Sequence, residues 1–202
     1  DWAQKTSPVL MTIGHEFVGE VVAIVAADTK DLVQDALRAI EVEYEELEGV
    51  YTIEEALKPD AVQIREKGVG LKDGLPSRDV KGNIFADSYY PIRKGDVEKG
   101  FAEADYIIER TYRTQFVEHS YIEPEACVVL EDPVDGVMTA HASAQNPFFT
   151  RRYLADALQE PMNKCRVVQR MLGGSFGGKE ELLGLTVGRA AMLARATGKP
   201  VK

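Results

Sequence analysis

The residues with the clearest chemical potential are Gly173-Gly174-Ser175-Phe176-Gly177-Gly178-Lys179-Glu180, four glycines with a lysine and a carboxylate in eight positions. Glycine admits positive φ and lets other groups come close to the backbone. The segment lies between an apolar, strand-like run at 165–172 and a helix-like run at 181–197. A glycine-rich elbow that opens a helix turns backbone N–H groups toward an anion. Gly173, four residues, then Gly178-Lys179 satisfies the first part of a nucleotide P-loop. The next position should carry a Ser or Thr hydroxyl for Mg²⁺, and Glu180 places a carboxylate there. A purely structural tight turn is the other reading of the same glycines.

Other candidate groups surround this elbow in the sequence. Gln145 precedes Asn146-Pro147, a helix-opening pair in which Asn caps and Pro occupies the first turn. His119, Glu123 and Glu125 are residue types that ligate metals, but they fall on one strand or turn of mixed polarity, where structural roles are expected. Gly14-His15-Glu16 has the look of a dehydrogenase zinc segment. A catalytic zinc needs about three convergent protein ligands, and Cys127 and Cys165 lie far downstream in apolar runs.

These groups need positioning elements. The Val-rich run at 17–26 is expected to be a buried strand, followed by a helix capped by Asp28, then an alternating strand at 41–47 and a short helix from Thr52 to Leu57. Residues 66–82, rich in Gly and Lys, are expected to be a linker. Beyond it, a short helix at Gly95 to Glu98 and a strand at 105–116 lead to paired strands at 126–131 and 137–143. These flank the turn Asp132-Pro133-Val134-Asp135-Gly136. A helix from Asn146 through Gln159, a strand at 165–172, the elbow and a helix at 181–197 follow, and Gly198 and Pro200 stop the last helix. Gln145 and the elbow therefore hold equivalent places, each ending a strand and opening a helix. If the two strands are neighbours, both helix N-termini address one cleft suited to an oxyanionic group or a phosphate.

The chain has 202 residues, 45% of them hydrophobic, and a net charge of -9. That is enough for one large domain or two small ones. The acidic balance and scattered basic residues argue against nucleic acid as a partner. No apolar run approaches the roughly 20 residues of a membrane span, and no secretory leader is visible. Two unpaired cysteines fit a reducing, cytoplasmic compartment.

The elbow resembles the Gly-Gly-Gly-Phe-Gly-Gly-Lys signature of the molybdenum hydroxylases, the xanthine dehydrogenase and aldehyde oxidase family, with Ser175 in place of the third glycine. Ser143-Ala144-Gln145-Asn146-Pro147 is similar to that family's Ser-Thr-Gln-Asn-Pro. Glu118-His119-Ser120-Tyr121-Ile122-Glu123-Pro124-Glu125-Ala126 resembles its Glu-His-x-Tyr-x-Glu-Pro-Glu-Ala. Val18-Gly19-Glu20 with the following Val21 to Ala26, and Tyr44-Glu45-Glu46-Leu47, extend the match in the family's order.

The resemblance implies an α+β (mixed α/β) chain, with a partial α/β hammerhead domain at 1–65, a linker at 66–82 and the N-terminal part of a molybdopterin-binding domain at 83–202. It implies a molybdenum-dependent oxidoreductase that inserts water-derived oxygen into hypoxanthine or xanthine, or into an aldehyde or nicotinate-type N-heterocycle. The cofactor would be molybdopterin, as such or in its cytosine dinucleotide form. Gln145, Gly174, Phe176 and Gly177 would bind it, with Gln145 and Phe176 shaping the molybdenum ligand sphere indirectly, and Glu180 would bind substrate. FAD and 2Fe-2S clusters would sit on partner domains or subunits of a hetero-oligomer. The general-base Glu is expected beyond Lys202, so the chain is an interior part of its subunit and inactive alone. A non-catalytic α/β binding or assembly module is the competing reading.

Overall fold

The computed structural model describes residues 19–64, 80–85, 92–180 and 182–202. In chain order the elements are α1 (Lys30–Arg38), α2 (Ile53–Ala56), β1 (Val80–Lys81), β2 (Ile84–Phe85), α3 (Val97–Glu103), β3 (Cys127–Glu131), β4 (Met138–Ala142), α4 (Pro147–Leu158), β5 (Cys165–Gln169) and α5 (Leu182–Thr197). The expected mixed α/β class is what forms. Two units are distinguished, one of Asp1–Glu41 with Phe116–Lys202 and one of Val42–Gln115. The candidate linker at 66–82, apart from residues 80–82, and the segment containing His15 and Glu16 lie outside the described residues.

In the unit of Val42–Gln115, local chemistry sets each short element. Thr52 and Glu55 form a reciprocal capping box at α2, and the Asp96 carboxylate accepts from the Lys99 amide at 3.0 Å to start α3. β1 and β2 pair antiparallel across Gly82-Asn83. The Asn83 side chain then joins distant segments: its Nδ2 donates to the Ala56 and Val62 carbonyls and its Oδ1 accepts from the Ile64 amide at 2.9 Å.

The other unit holds a three-stranded sheet in the order β3-β4-β5. The Asp-Gly turn joins β3 and β4 antiparallel, and α4 makes the crossover that lets β5 run parallel to β4, from Met138↔Cys165 to Ala142↔Gln169. Cys127 and Val129 are buried while Val128 between them is exposed, so one sheet face is covered. Leu154 and Leu158 of α4 and Leu183, Val187 and Ala191 of α5 pack against Val129, Met138, Ala140 and Ala142 to form the core. Asn146 caps α4 through a 3.2 Å bond from the Phe149 amide, with Pro147 in the first turn, as its sequence specifies.

α4 and α5 meet through small residues. A Cβ added to Gly188 would stand 2.9 Å from the Ala157 Cβ, and one added to Gly184 would stand 2.5 Å from the Tyr153 ring. Gly188→Val is therefore expected to cost about 1–3 kcal/mol by overpacking. Denaturant unfolding of the full-length protein checks this, and an unchanged midpoint would show that the helices can separate without loss.

Some expected elements do not form. Among the described residues no strand spans 19–26, 41–47 or 105–116, and Tyr44, Leu47, Tyr106, Ile108 and Phe116 are exposed. Alternation identifies a potential face, but a strand exists only where a neighbouring edge completes its hydrogen bonds. α1 is capped by Thr29, whose hydroxyl accepts from the Leu32 amide at 3.3 Å, one residue later than the Asp28 cap expected. β5 ends at Gln169 rather than at 172, because the chain turns there into the elbow. Among the described residues no helix is long and apolar enough to cross a membrane.

Candidate functional site: the glycine elbow and Gln145

Gln145 follows β4, and the elbow follows β5, so both stand at the carboxyl ends of adjacent parallel strands. That is where ligands bind in sheets with parallel crossovers. The two loops are joined directly. The Gln145 amide N–H donates to the Lys179 carbonyl at 3.0 Å. Its side-chain Oε1 accepts from the Gly177 N–H at 2.9 Å and from the Ser175 hydroxyl. Ser175 Oγ in turn accepts from the Lys179 N–H at 3.0 Å. Gln145 itself is exposed, and its NH₂ end is the part available to a ligand.

Two physical demands account for the elbow's glycines. Gly174 and Gly177 lie at φ +95° and +99°, where a side chain is strained. Gly173 and Gly178 are needed for close approach: a Cβ on either would come within 2.5 Å of Glu123 Cβ or Tyr121 Cε1, respectively. Phe176 is held at φ 53° with a 75% exposed ring. A non-glycine residue in the left-handed region that also exposes an aromatic ring is a strained feature of the kind found at ligand sites.

The segment behind the elbow is 119–125. Its odd-numbered residues all turn the same way, with His119 and Tyr121 against Gly178, Glu123 against Gly173, and Glu125 bonded to Thr186 of α5 at 2.9 Å. The Glu123 carboxylate accepts from the Gly173 N–H at 2.8 Å and from Lys179 Nζ at 2.7 Å. The Lys179 ammonium is fully buried and also lies 4.6 Å from the centroid of the Tyr121 ring. Glu123 is held below the usual carboxylate range, first by the Lys179 hydrogen bond and then by the Gly173 amide. Burial, and then the Glu125 and Glu118 charges, push the Tyr121 phenol up.

This geometry overturns the P-loop reading. A P-loop lysine must reach phosphate, whereas Lys179 points inward and is neutralised by Glu123. His119, Glu123 and Glu125 buttress the elbow, in line with the structural roles expected for them. Sequence reasoning misses two contributors: Ser175, which reads only as a departure from a signature, and Tyr121. The period-two spacing of 119, 121, 123 and 125 is the available signal. Glu180 is half-buried, with its N–H donating to the Gly177 carbonyl at 3.3 Å. A separate cavity of about 400 Å³, lined by Val137, Phe148, Arg151, Cys165 and Val167, shares no residue with the elbow, and its Arg151 guanidinium is already held by the Met162 and Cys165 carbonyls.

Residues 77–202 match the family model of the molybdopterin cofactor-binding domain. The chain belongs to that family. It is similar to parts of longer proteins. It is 38% identical over 199 residues to the nicotinate dehydrogenase large molybdopterin subunit of Eubacterium barkeri, covering 98% of this chain and 42% of the relative. It is 37% identical over 195 residues to a probable xanthine dehydrogenase subunit of Bacillus subtilis, covering 96% of this chain and 24% of the relative. The fold is shared with quinoline 2-oxidoreductase from Pseudomonas putida 86, at a TM-score of 0.65 and 24% identity over 87% of this chain and 20% of that one. The molybdopterin-binding chain thus spans less than half the length of these relatives.

The donors present suit such a group. A molybdopterin is rich in oxygen and sulfur acceptors and carries a phosphate. The end of Gln145 available to a ligand is its NH₂ donor, because its carbonyl is already taken by two donors. Among the described residues no three His, Cys, Asp or Glu side chains converge on one point.

Proposed function

We propose that this chain is the part of a molybdenum hydroxylase subunit that holds the pterin cofactor and presents it to an electron-poor heterocycle, in the first instance hypoxanthine or xanthine. The observation that carries this is the joint between Gln145 and the elbow at the ends of two parallel strands. When bound, molybdopterin supplies the oxidation of a substrate carbon with oxygen taken from water. Gln145 donates from its NH₂ group to an oxygen of the cofactor, and the Phe176 ring walls the metal side of the cleft. The backbone N–H at Gly174 lines the site, and Gly177 acts through the Gln145 amide that its own N–H holds. Glu180, half-buried at the end of the elbow, hydrogen-bonds the ring nitrogens of substrate. The general base lies on residues beyond this stretch.

The domain reading goes with this: a hammerhead-like segment at 1–65, a linker, and cofactor-binding residues from 83, supported by a family match that begins at residue 77. Both bacterial relatives are named as subunits. That supports a hetero-oligomer; in the same reading its other parts carry FAD and 2Fe-2S clusters for electron exit, and the assembly is cytoplasmic. The cytosine dinucleotide form of the pterin belongs to the same reading. The Eubacterium barkeri relative's name supports a second substrate reading, a nicotinate-type ring.

The test is elemental analysis and pterin fluorescence on the full-length protein from its native host. Molybdenum stoichiometric with the chain, with an oxidised-pterin signal, is expected. Freshly isolated protein with neither would leave the non-catalytic binding module. Glu180→Gln in the loaded enzyme is expected to depress turnover of xanthine and spare that of a simple aldehyde; equal rates on xanthine would remove the purine assignment.

A further inference from the structure

We infer that Ser175 is a positioning residue that, together with the Gly177 N–H, fixes which end of the Gln145 amide faces the ligand, an inference that rests on the reading of the site just given. An amide side chain presents a donor or an acceptor according to how it is turned, and the two orientations have the same shape. Here the surroundings decide. The Lys179 N–H donates into Ser175 Oγ at 3.0 Å, and a peptide N–H cannot accept. Ser175 is 5% exposed, and its hydroxyl proton goes to the Gln145 side chain. The Gly177 N–H points at the same Gln145 atom from 2.9 Å. Two donors converge there, and only a carbonyl oxygen satisfies both. Turning the amide over would set an NH₂ group against the Gly177 N–H and lose that bond, and would leave the Ser175 hydroxyl proton without the carbonyl that accepts it.

Ser175 thus closes a relay from the Lys179 N–H through its own hydroxyl to Gln145 Oε1. The NH₂ group is thereby aimed outward and polarised by the chain of hydrogen bonds behind it. The class of group recognised is an oxygen acceptor, whether an oxo, phosphate or carbonyl oxygen. Glycine at position 175 would leave only Gly177 to set the amide.

The experiment uses the full-length enzyme as isolated with its cofactor, in four forms: wild type, Ser175→Ala, Gln145→Ala and the double variant. Molybdenum content, the Mo(V) EPR signal and kcat/KM are measured for each. Ser175→Ala is expected to keep its metal, alter the EPR signal and lower kcat/KM about tenfold. In the Gln145→Ala background the same change is expected to move kcat/KM by less than about twofold, since Ser175 then has nothing to orient. A full tenfold loss in that background would show a merely structural role and overturn the inference. Wild-type rates and signal in Ser175→Ala would overturn it as well.

A second measurement is independent of activity and metal. In an atomic-resolution structure of the wild-type protein, with hydrogens visible, Gln145 Oε1 must face Ser175 and Gly177 whether or not molybdenum is bound. Finding Nε2 there would overturn the inference even if the cofactor is present. Finding Oε1 there in a protein without molybdenum, with the amide found in both orientations in Ser175→Ala, would uphold it while removing the proposed function.

Discussion

Gln145→Glu is expected to lower kcat/KM of the full-length enzyme by about a hundred- to a thousandfold while leaving the fold and the cofactor content in place, the loss typical of removing one preorganised donor from a reacting centre. The substitution is nearly isosteric. One carboxylate oxygen can take over the bonds from Ser175 and Gly177, so the joint between the two loops survives. The other oxygen then faces the ligand where an NH₂ donor stood, and an attraction becomes a repulsion between acceptors. Steady-state kinetics with molybdenum assayed on the same samples decides the matter. A variant that retains its metal and loses less than about tenfold would take Gln145 out of the site.

The second large effect concerns the clamp behind the elbow, and it is an ordering. Glu123→Ala is expected to destabilise more than Lys179→Met, although glutamate is the more exposed partner. Lys179 has no exposure, while Glu123 keeps 37% of its side-chain surface. Removing Lys179 leaves a carboxylate that water can reach and that still accepts from Gly173. Removing Glu123 leaves a buried ammonium that keeps the Tyr121 ring but loses its carboxylate, and frees the Gly173 amide. Chemical denaturation of both variants at neutral pH tests the order, and a greater loss for Lys179→Met would contradict it. The same clamp sets a pH dependence. Its folded carboxyl lies below the usual 4.5, so its contribution is complete above that value and is lost as pH falls through the lowered one. Glu123→Gln should abolish that acid-side change.

What is legible in the sequence follows from how far apart the interacting residues lie. Asn146-Pro147, Thr52 with Glu55, and the turn at Asp132 to Gly136 each carry their structural meaning within a few positions, and each forms the element expected. The neighbouring placement of Gln145 and the elbow also follows, since two strand-to-helix junctions linked by one helix suit a parallel crossover. The runs at 41–47 and 105–116 have strand-like residues without a ladder among the described residues, because a partner edge is not written into the run itself. Ser175 and Lys179 resist reading for a related reason. Their meaning lies in Gln145 and Glu123, 30 and 56 positions away, and no local pattern marks a hydrogen bond of that reach.

Those same separations bear on the order in which the molecule assembles. α4 and β5 follow one another closely in the chain, whereas the elbow is held by bonds spanning 30 to 61 residues, to Gln145, Glu123 and, just beyond it, from Thr186 to Glu125. Closing loops of that length costs more chain entropy than closing a helix turn or a hairpin. The elbow is accordingly expected to be among the last parts of its unit to set during folding, after the strands that carry it. A nascent chain would therefore pass through a stage with its sheet formed and its glycine loop still open, which is the stage at which a bulky, preformed ligand can enter.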